Sequence, residues 1–94
     1  MWQIIESRKA EKQLRDSAPQ DVIRRYETWK DIARHSGSPG LQKINGYHDE
    51  ALKGNWHGYR SSRLGPKWRV IYQALDDILL IEVVEVNAHV YKKH

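Results

Sequence analysis

Between positions 60 and 69 the sequence places four cations, Arg60, Arg63, Lys67 and Arg69, close to the aromatic residues Trp56, Tyr59 and Trp68. Phosphates are held by cations and unstacked bases by flat rings, so this mixture suits single-stranded RNA. His89 and Tyr91 follow nearer the end. Cutting RNA without a metal needs a group to take the ribose 2'-OH proton, cations to stabilise the charged phosphorane, and a donor for the departing 5' oxygen. Arginine supplies the cation, glutamate or histidine can accept the first proton, and histidine, tyrosine or arginine can assist the leaving oxygen. His89 is the strongest single acid–base candidate because imidazole titrates near neutral pH. Taken singly, each residue has an ordinary reading: a solvated arginine, a solvated Glu50, a hydrogen-bonded surface histidine, a tyrosine anchored on a sheet. The clustering points to chemistry.

Other chemistries find little support. Without cysteine there is no disulfide framework, thiolate metal site or cysteine nucleophile. His35, His48, His57 and His94 show no ligand-like spacing with Asp or Glu, so no metal is expected. Ser61 and Ser62 have no specified base beside them, and neither a phosphate-cradling glycine loop nor a Gly-x-Ser-x-Gly turn is present. No cofactor is implied. A chain of 94 residues with 39% hydrophobic and 30% charged residues has the composition of one folded domain. Its net charge of +4 is compatible with an anionic partner without requiring one. The opening Met-Trp-Gln-Ile-Ile-Glu has no cationic leader and long apolar run, so a cytoplasmic location is expected and no membrane association.

The elements that must position these residues fall into two halves. Trp2 to Glu6 reads as a short strand, and Ser7 caps a short polar helix with Ala10 and Leu14 on one stripe. Ser17-Ala18-Pro19-Gln20 has the form of a second helix start. Val22, Ile23, Tyr26, Trp29, Ile32 and Ala33 then recur at helical spacing, until Gly37 ends the run. Leu41 to Asn55 has no clear period and reads as a surface loop. Three strands are predicted beyond it, over 56–64, 68–75 and 78–86, joined by short turns into an antiparallel meander. The third, apolar at nearly every early position, is expected centrally with both faces largely covered. The predicted class is α+β, with two N-terminal helices packed on one face of a small twisted antiparallel sheet and the other face open for function.

Alternation puts His57, Tyr59, Ser61 and Arg63 on one face of the first meander strand, and Trp56, Arg60 and Ser62 on the other. A three-residue turn at Gly65-Pro66-Lys67 sets Arg63 opposite Arg69 on the same face, and a two-residue turn does not. Two guanidiniums directly across a strand pair repel, so such a placement implies an anion between them.

The run from Leu52 to Leu64 (LKGNWHGYRSSRL), then Lys67-Trp68-Arg69-Val70-Ile71-Tyr72, Asp76-Asp77 and His89-Val90-Tyr91, resembles toxins of the RelE superfamily, nearest its YoeB and YafQ branches. The resemblance covers roughly residues 50 to 91. It implies a toxin of a type II toxin–antitoxin pair that cleaves mRNA in the ribosomal A site without metal and is neutralised by an antitoxin. It also implies roles: Glu50 as general base, Arg63 and Arg69 as phosphate-stabilising cations, His89 with Tyr91 as terminal acid and stacking residues. Lys53, Arg60 and Lys67 would hold the RNA backbone, with Trp68, Lys92 and Lys93 as further RNA contacts. Val90 separates His89 from Tyr91, unlike the adjacent pair of the YoeB pattern, which leaves open which of them is the acid. The alternative is a ParE-like toxin, which shares the fold but blocks DNA gyrase by protein contact. A third reading is a basic RNA-binding module without activity.

Overall fold

Tyr26 and Trp29, one helical turn apart, stack with ring centroids 5.7 Å apart, and Trp29 meets Tyr72 edge-on at 5.3 Å. These three rings are the centre of the core in the computed structural model, which describes residues 1–88. The chain runs β1 (Gln3–Glu6), α1 (Arg8–Asp16), α2 (Gln20–Gln42), β2 (Glu50–Ala51), β3 (Arg60–Arg63), β4 (Trp68–Leu75) and β5 (Leu80–Ala88). Three single 3-10 turns, at Asn45–Tyr47, Gly54–Trp56 and Asp76–Ile78, punctuate the second half.

The strands form one sheet in the order β1-β5-β4-β3-β2. The α+β class and the antiparallel β3-β4-β5 meander agree with the sequence reading, but the sheet is mixed, because β1 joins β5 in parallel. The two helices between β1 and the meander let the chain return to the far edge, where no hairpin constrains strand direction. There Ile4 faces Ile81 in register.

The helices also divide their work. From α2, the buried Val22, Tyr26, Trp29 and Ala33 join Val70, Tyr72, Ile81 and Val83 in the core. Helix α1 contributes Ala10 to that core and otherwise lies along the edge of β5, beyond the end of β1. Ser7 N–H donates to the Val83 carbonyl, Ser7 Oγ to the Val84 carbonyl at 2.8 Å, and Gln13 Oε1 accepts from Val86 N at 2.7 Å. Polar side chains thus satisfy an open strand edge that another chain would otherwise pair with.

The α2 segment is longer than predicted. Gly37 adopts φ 63°, ψ −162°, a kink after which helical structure resumes to Gln42. A Cβ on Gly37 would lie 2.5 Å from the Trp2 ring, so glycine serves both the positive φ and the close approach. Strand β3 is shorter than predicted, because Gly54–Trp56 forms a 3-10 turn.

Strand β5 lies between β1 and β4, as expected, but only one face is fully covered: Ile81, Val83 and Val86 are buried while Leu80, Glu82, Val84 and Asn87 are half-buried. That spacing of two and then three residues breaks strict alternation. The register shift explains it, since Ile71 pairs Glu85 but Tyr72 pairs Val83, leaving Val84 as an extra, bulged residue. The bulge lets Val83 and Val86 both face the core, and it turns Glu85 and Asn87 to the opposite side.

Burial, then the hydrogen bond and charge of Glu6, push the Tyr26 phenol far above the ordinary tyrosine range, and burial with Asp49 does the same to Tyr72. Folded values raised above the unfolded value near 10 mean that this stabilisation is complete below about pH 10 and is lost as pH rises further. In an alkaline titration followed at the phenolate absorbance, two of the five tyrosines should ionise only with unfolding; early ionisation of all five in the folded protein contradicts this packing.

Candidate active site

The β3–β4 turn decides whether the central cations meet. Leu64 N–H bonds the Trp68 carbonyl at 2.8 Å, closing a three-residue loop of Gly65, Pro66 and Lys67. Gly65 takes φ 129°, and a Cβ there would collide with the Arg25 guanidinium, which donates to the Leu64 carbonyl. The resulting register pairs Arg63 with Arg69 and Ser61 with Ile71. Directly opposed residues of an antiparallel pair point to the same face, so both arginine side chains leave the sheet on the face opposite to Val70 and Tyr72.

Strand β2 adds the carboxylate. Glu50 pairs with Ser61 and therefore shares its face. Glu50, Arg63, Lys67, Trp68 and Arg69 line one cleft of about 250 Å³, together with His48, Ser61 and Pro66. Five of the residues expected from sequence are thereby brought together. Among the described residues, no carboxylate forms an ion pair with Arg63, Lys67 or Arg69. Arg69 Nε instead points to Asn87 Oδ1 at 3.4 Å, and Asn87 Nδ2 donates to Glu85 Oε1 at 2.7 Å. Lys9 Nζ lies 3.4 Å from the same Glu85 oxygen. A relay from α1 through β5 thus orients one guanidinium of the pair without neutralising it.

Arg60 sits elsewhere. Its partner in register is Tyr72, on the core face, and its Nε donates to Asp49 Oδ1 at 2.7 Å. Asp49 has no exposed side-chain surface. Its other oxygen accepts from Ser62 Oγ and Tyr72 Oη, both at 2.6 Å. Burial alone would lower the Arg60 value, but the hydrogen bond and charge of Asp49 outweigh it and raise it above the ordinary arginine range. The guanidinium expected to hold RNA backbone is engaged by a buried carboxylate on the face opposite the cleft. Lys53 is exposed at the start of the Gly54–Trp56 turn, outside the cleft lining. His89, Tyr91, Lys92 and Lys93 lie outside the described residues. The described part of β5 ends at Ala88, paired with Trp68.

Asp49, His48, Glu85 and Asn87 did not stand out in the sequence. Asp49 works as a peg: pinned beneath the sheet edge, it fixes the neighbours that flank it, His48 and Glu50, on the cleft side. His48 is a non-glycine residue in left-handed conformation, φ 43°, ψ 45°. Local sequence signals give no hint of a peg that acts across a sheet, and Glu85 and Asn87 depend on a bulge that the apolar run conceals. No three His, Asp or Glu residues cluster as a cation cage among the described residues.

Proteins similar to this chain are found by both sequence and shape. No protein-family model matches the chain. The mRNA interferase toxin YafQ of Escherichia coli (strain K12) is 36% identical over 45 residues, a stretch covering 48% of this chain and 49% of YafQ. The match thus spans about half the length of either protein. The crystal structure of YafQ from E. coli strain BL21(DE3) superposes with a TM-score of 0.73 at 19% identity, covering 94% of this chain and 93% of YafQ. RelE in the archaeal RelE-RelB complex from Pyrococcus horikoshii OT3 gives 0.76 at 21% identity, over 97% and 98% of the two chains. The fold is the one seen in YafQ and RelE. Within this RelE fold, the cleft lies on the face that α2 leaves open, and the peg and the relay are what hold its walls.

Removing the peg should be costly, since a buried charge pair that loses one partner typically forfeits about 3–5 kcal/mol. Asp49→Ala should lower the unfolding free energy from urea denaturation by an amount of that order, and Arg60→Ala combined with it should add much less than its own separate loss. Full additivity in the double-mutant cycle contradicts the coupling.

Proposed function

We propose that this protein is the toxin of a type II toxin–antitoxin pair and cleaves mRNA in the ribosomal A site without a metal ion. The observation that carries the reading is the unneutralised Arg63–Arg69 pair on the same cleft as Glu50. Two opposed guanidiniums repel unless an anion lies between them. A phosphodiester passing to a phosphorane gains negative charge, which arginines fixed in advance stabilise most in the transition state. The similarity to YafQ, an mRNA interferase toxin, supports the RNA substrate, and the RelE–RelB complex supports an antitoxin as partner.

In this mechanism Glu50 takes the proton from the 2'-OH, and the 2' oxygen attacks phosphorus. Arg63 and Arg69 hold the phosphorane oxygens. The bond from phosphorus to the 5' oxygen then breaks, leaving a 2',3'-cyclic phosphate, and the 5' oxygen takes a proton from His89 or Tyr91. Lys67 adds charge at the turn, and Trp68, half-buried with its ring packed against the core, borders the cleft as a contact for a neighbouring base. Lys53, Lys92 and Lys93 serve as peripheral phosphate contacts, whereas Arg60 acts through Asp49. The cleft is small, so the ribosome supplies the bent RNA geometry that this surface does not impose by itself. Such a toxin acts in the cytoplasm. A gyrase-blocking toxin of the same fold has no use for two unpaired arginines beside a carboxylate.

With purified protein in a translating extract and mRNA ends mapped, wild type should cut only ribosome-bound message. Arg69→Ala should reduce the rate by about 10²–10³-fold, on the scale of losing one oxyanion donor, and should abolish growth inhibition while circular dichroism stays native. Undiminished cleavage by the variant, or efficient cutting of naked mRNA, contradicts the mechanism.

A further inference from the structure

Beside the cleft runs a second, larger groove of about 550 Å³, between α2 and the loop that precedes β2. The two depressions adjoin, since Arg63 and Pro66 line both. Their chemistry differs. The cleft is polar and cationic, whereas the groove is walled mainly by Ile32, Ile44, Tyr47 and Leu64. Ile44 is 37% exposed, an apolar side chain left at the surface where a soluble domain gains nothing from it. Arg25 and Arg63, both exposed, bring positive charge to this otherwise apolar space.

The segment 44–50 ties the two together. Tyr47 N–H bonds the Ile44 carbonyl at 3.1 Å, His48 N–H bonds the Asn45 carbonyl at 3.1 Å, and Asp49 is locked beneath the sheet. One rigid stretch therefore presents Ile44 and Tyr47 to the groove and His48 and Glu50 to the cleft. A ligand that is anionic where it meets Arg63 and flat and apolar one step away matches both depressions at once. A nucleotide has that build.

We propose that the groove is a nucleobase subsite, taking the base adjacent to the scissile phosphate against Tyr47 and Ile44, with Arg25 and Arg63 on the phosphate that links it to the cleft. This rests on the reading of the cleft as an RNA site. Stacking on one aromatic ring commonly changes affinity by about tenfold per base, so the groove sets a nucleotide preference at one position flanking the cut.

The test uses a reporter message randomised around the cleaved codon, in a translating extract with end mapping. Wild type should show a preference at one flanking position. Tyr47→Ala and the surface variant Ile44→Ser should flatten that preference and lower cleavage by about tenfold, leaving preferences at other positions in place. Cut profiles for both folded variants that superpose on wild type overturn the proposal. A second arm is independent of turnover: an oligoribonucleotide with 2'-deoxy substitution, which cannot be cut, is titrated into the isolated protein at low salt. Shifts in the Ile32 and Ile44 methyl resonances support the subsite even if wild type leaves the message intact and the nuclease reading fails. Shifts confined to the cleft, or none, overturn it and leave the groove to a protein segment.

Discussion

Arg63 and Arg69 face each other across two antiparallel strands with no carboxylate to neutralise them among the described residues. Like charges in that position destabilise a sheet by roughly 0.2–1 kcal/mol. The fold carries this cost because the register allows no escape: the three-residue turn closed by Leu64 and Trp68 fixes which residues are opposed, and a slip by one would turn Val70 and Tyr72 out of the core. Burial of those two residues against Trp29 therefore holds the arginines in place.

The remaining parts of the cleft depend on the same sheet. Asp49 gathers Arg60, Ser62 and Tyr72 under the edge and so delivers Glu50 to the face that bears the arginines. The Val84 bulge turns Asn87 and Glu85 to that face as well, where they orient Arg69. Ser7 at the N-cap of α1 and Gln13 within it bond the backbone around the bulge, so a polar helix of little intrinsic core value stabilises the irregularity that turns Glu85 and Asn87 toward Arg69. Strain and unneutralised charge sit at the cleft while the packed rings lie on the opposite face, a separation expected when function and stability compete.

Much of this was readable in the residues themselves. The periodicity of Val22 to Ala33 marked the core helix, and β-branched runs marked β4 and β5. Within β3 alternation put Arg63 with Ser61 and Arg60 with Ser62. What could not be read were relations across space. Nothing local distinguishes a two- from a three-residue turn at Gly65-Pro66-Lys67. The parallel pairing of β1 depends on a path through both helices. Arg60 looked like its neighbours Arg63 and Arg69, and only the burial of Asp49 separates an arginine used for structure from two available to a ligand. The bulge was hidden because Ile81 to Val86 is apolar at most positions, which masks the break in alternation.

An anion site maintained against its own repulsion, the role proposed for the arginine pair, reports directly in stability. Urea denaturation of wild type and Arg63→Gln should be compared at low and high salt. The substitution should raise stability at low salt, the gain should shrink as salt screens the pair, and added phosphate should stabilise wild type more than the variant. A variant less stable than wild type at every ionic strength, with no differential effect of phosphate, would contradict that role.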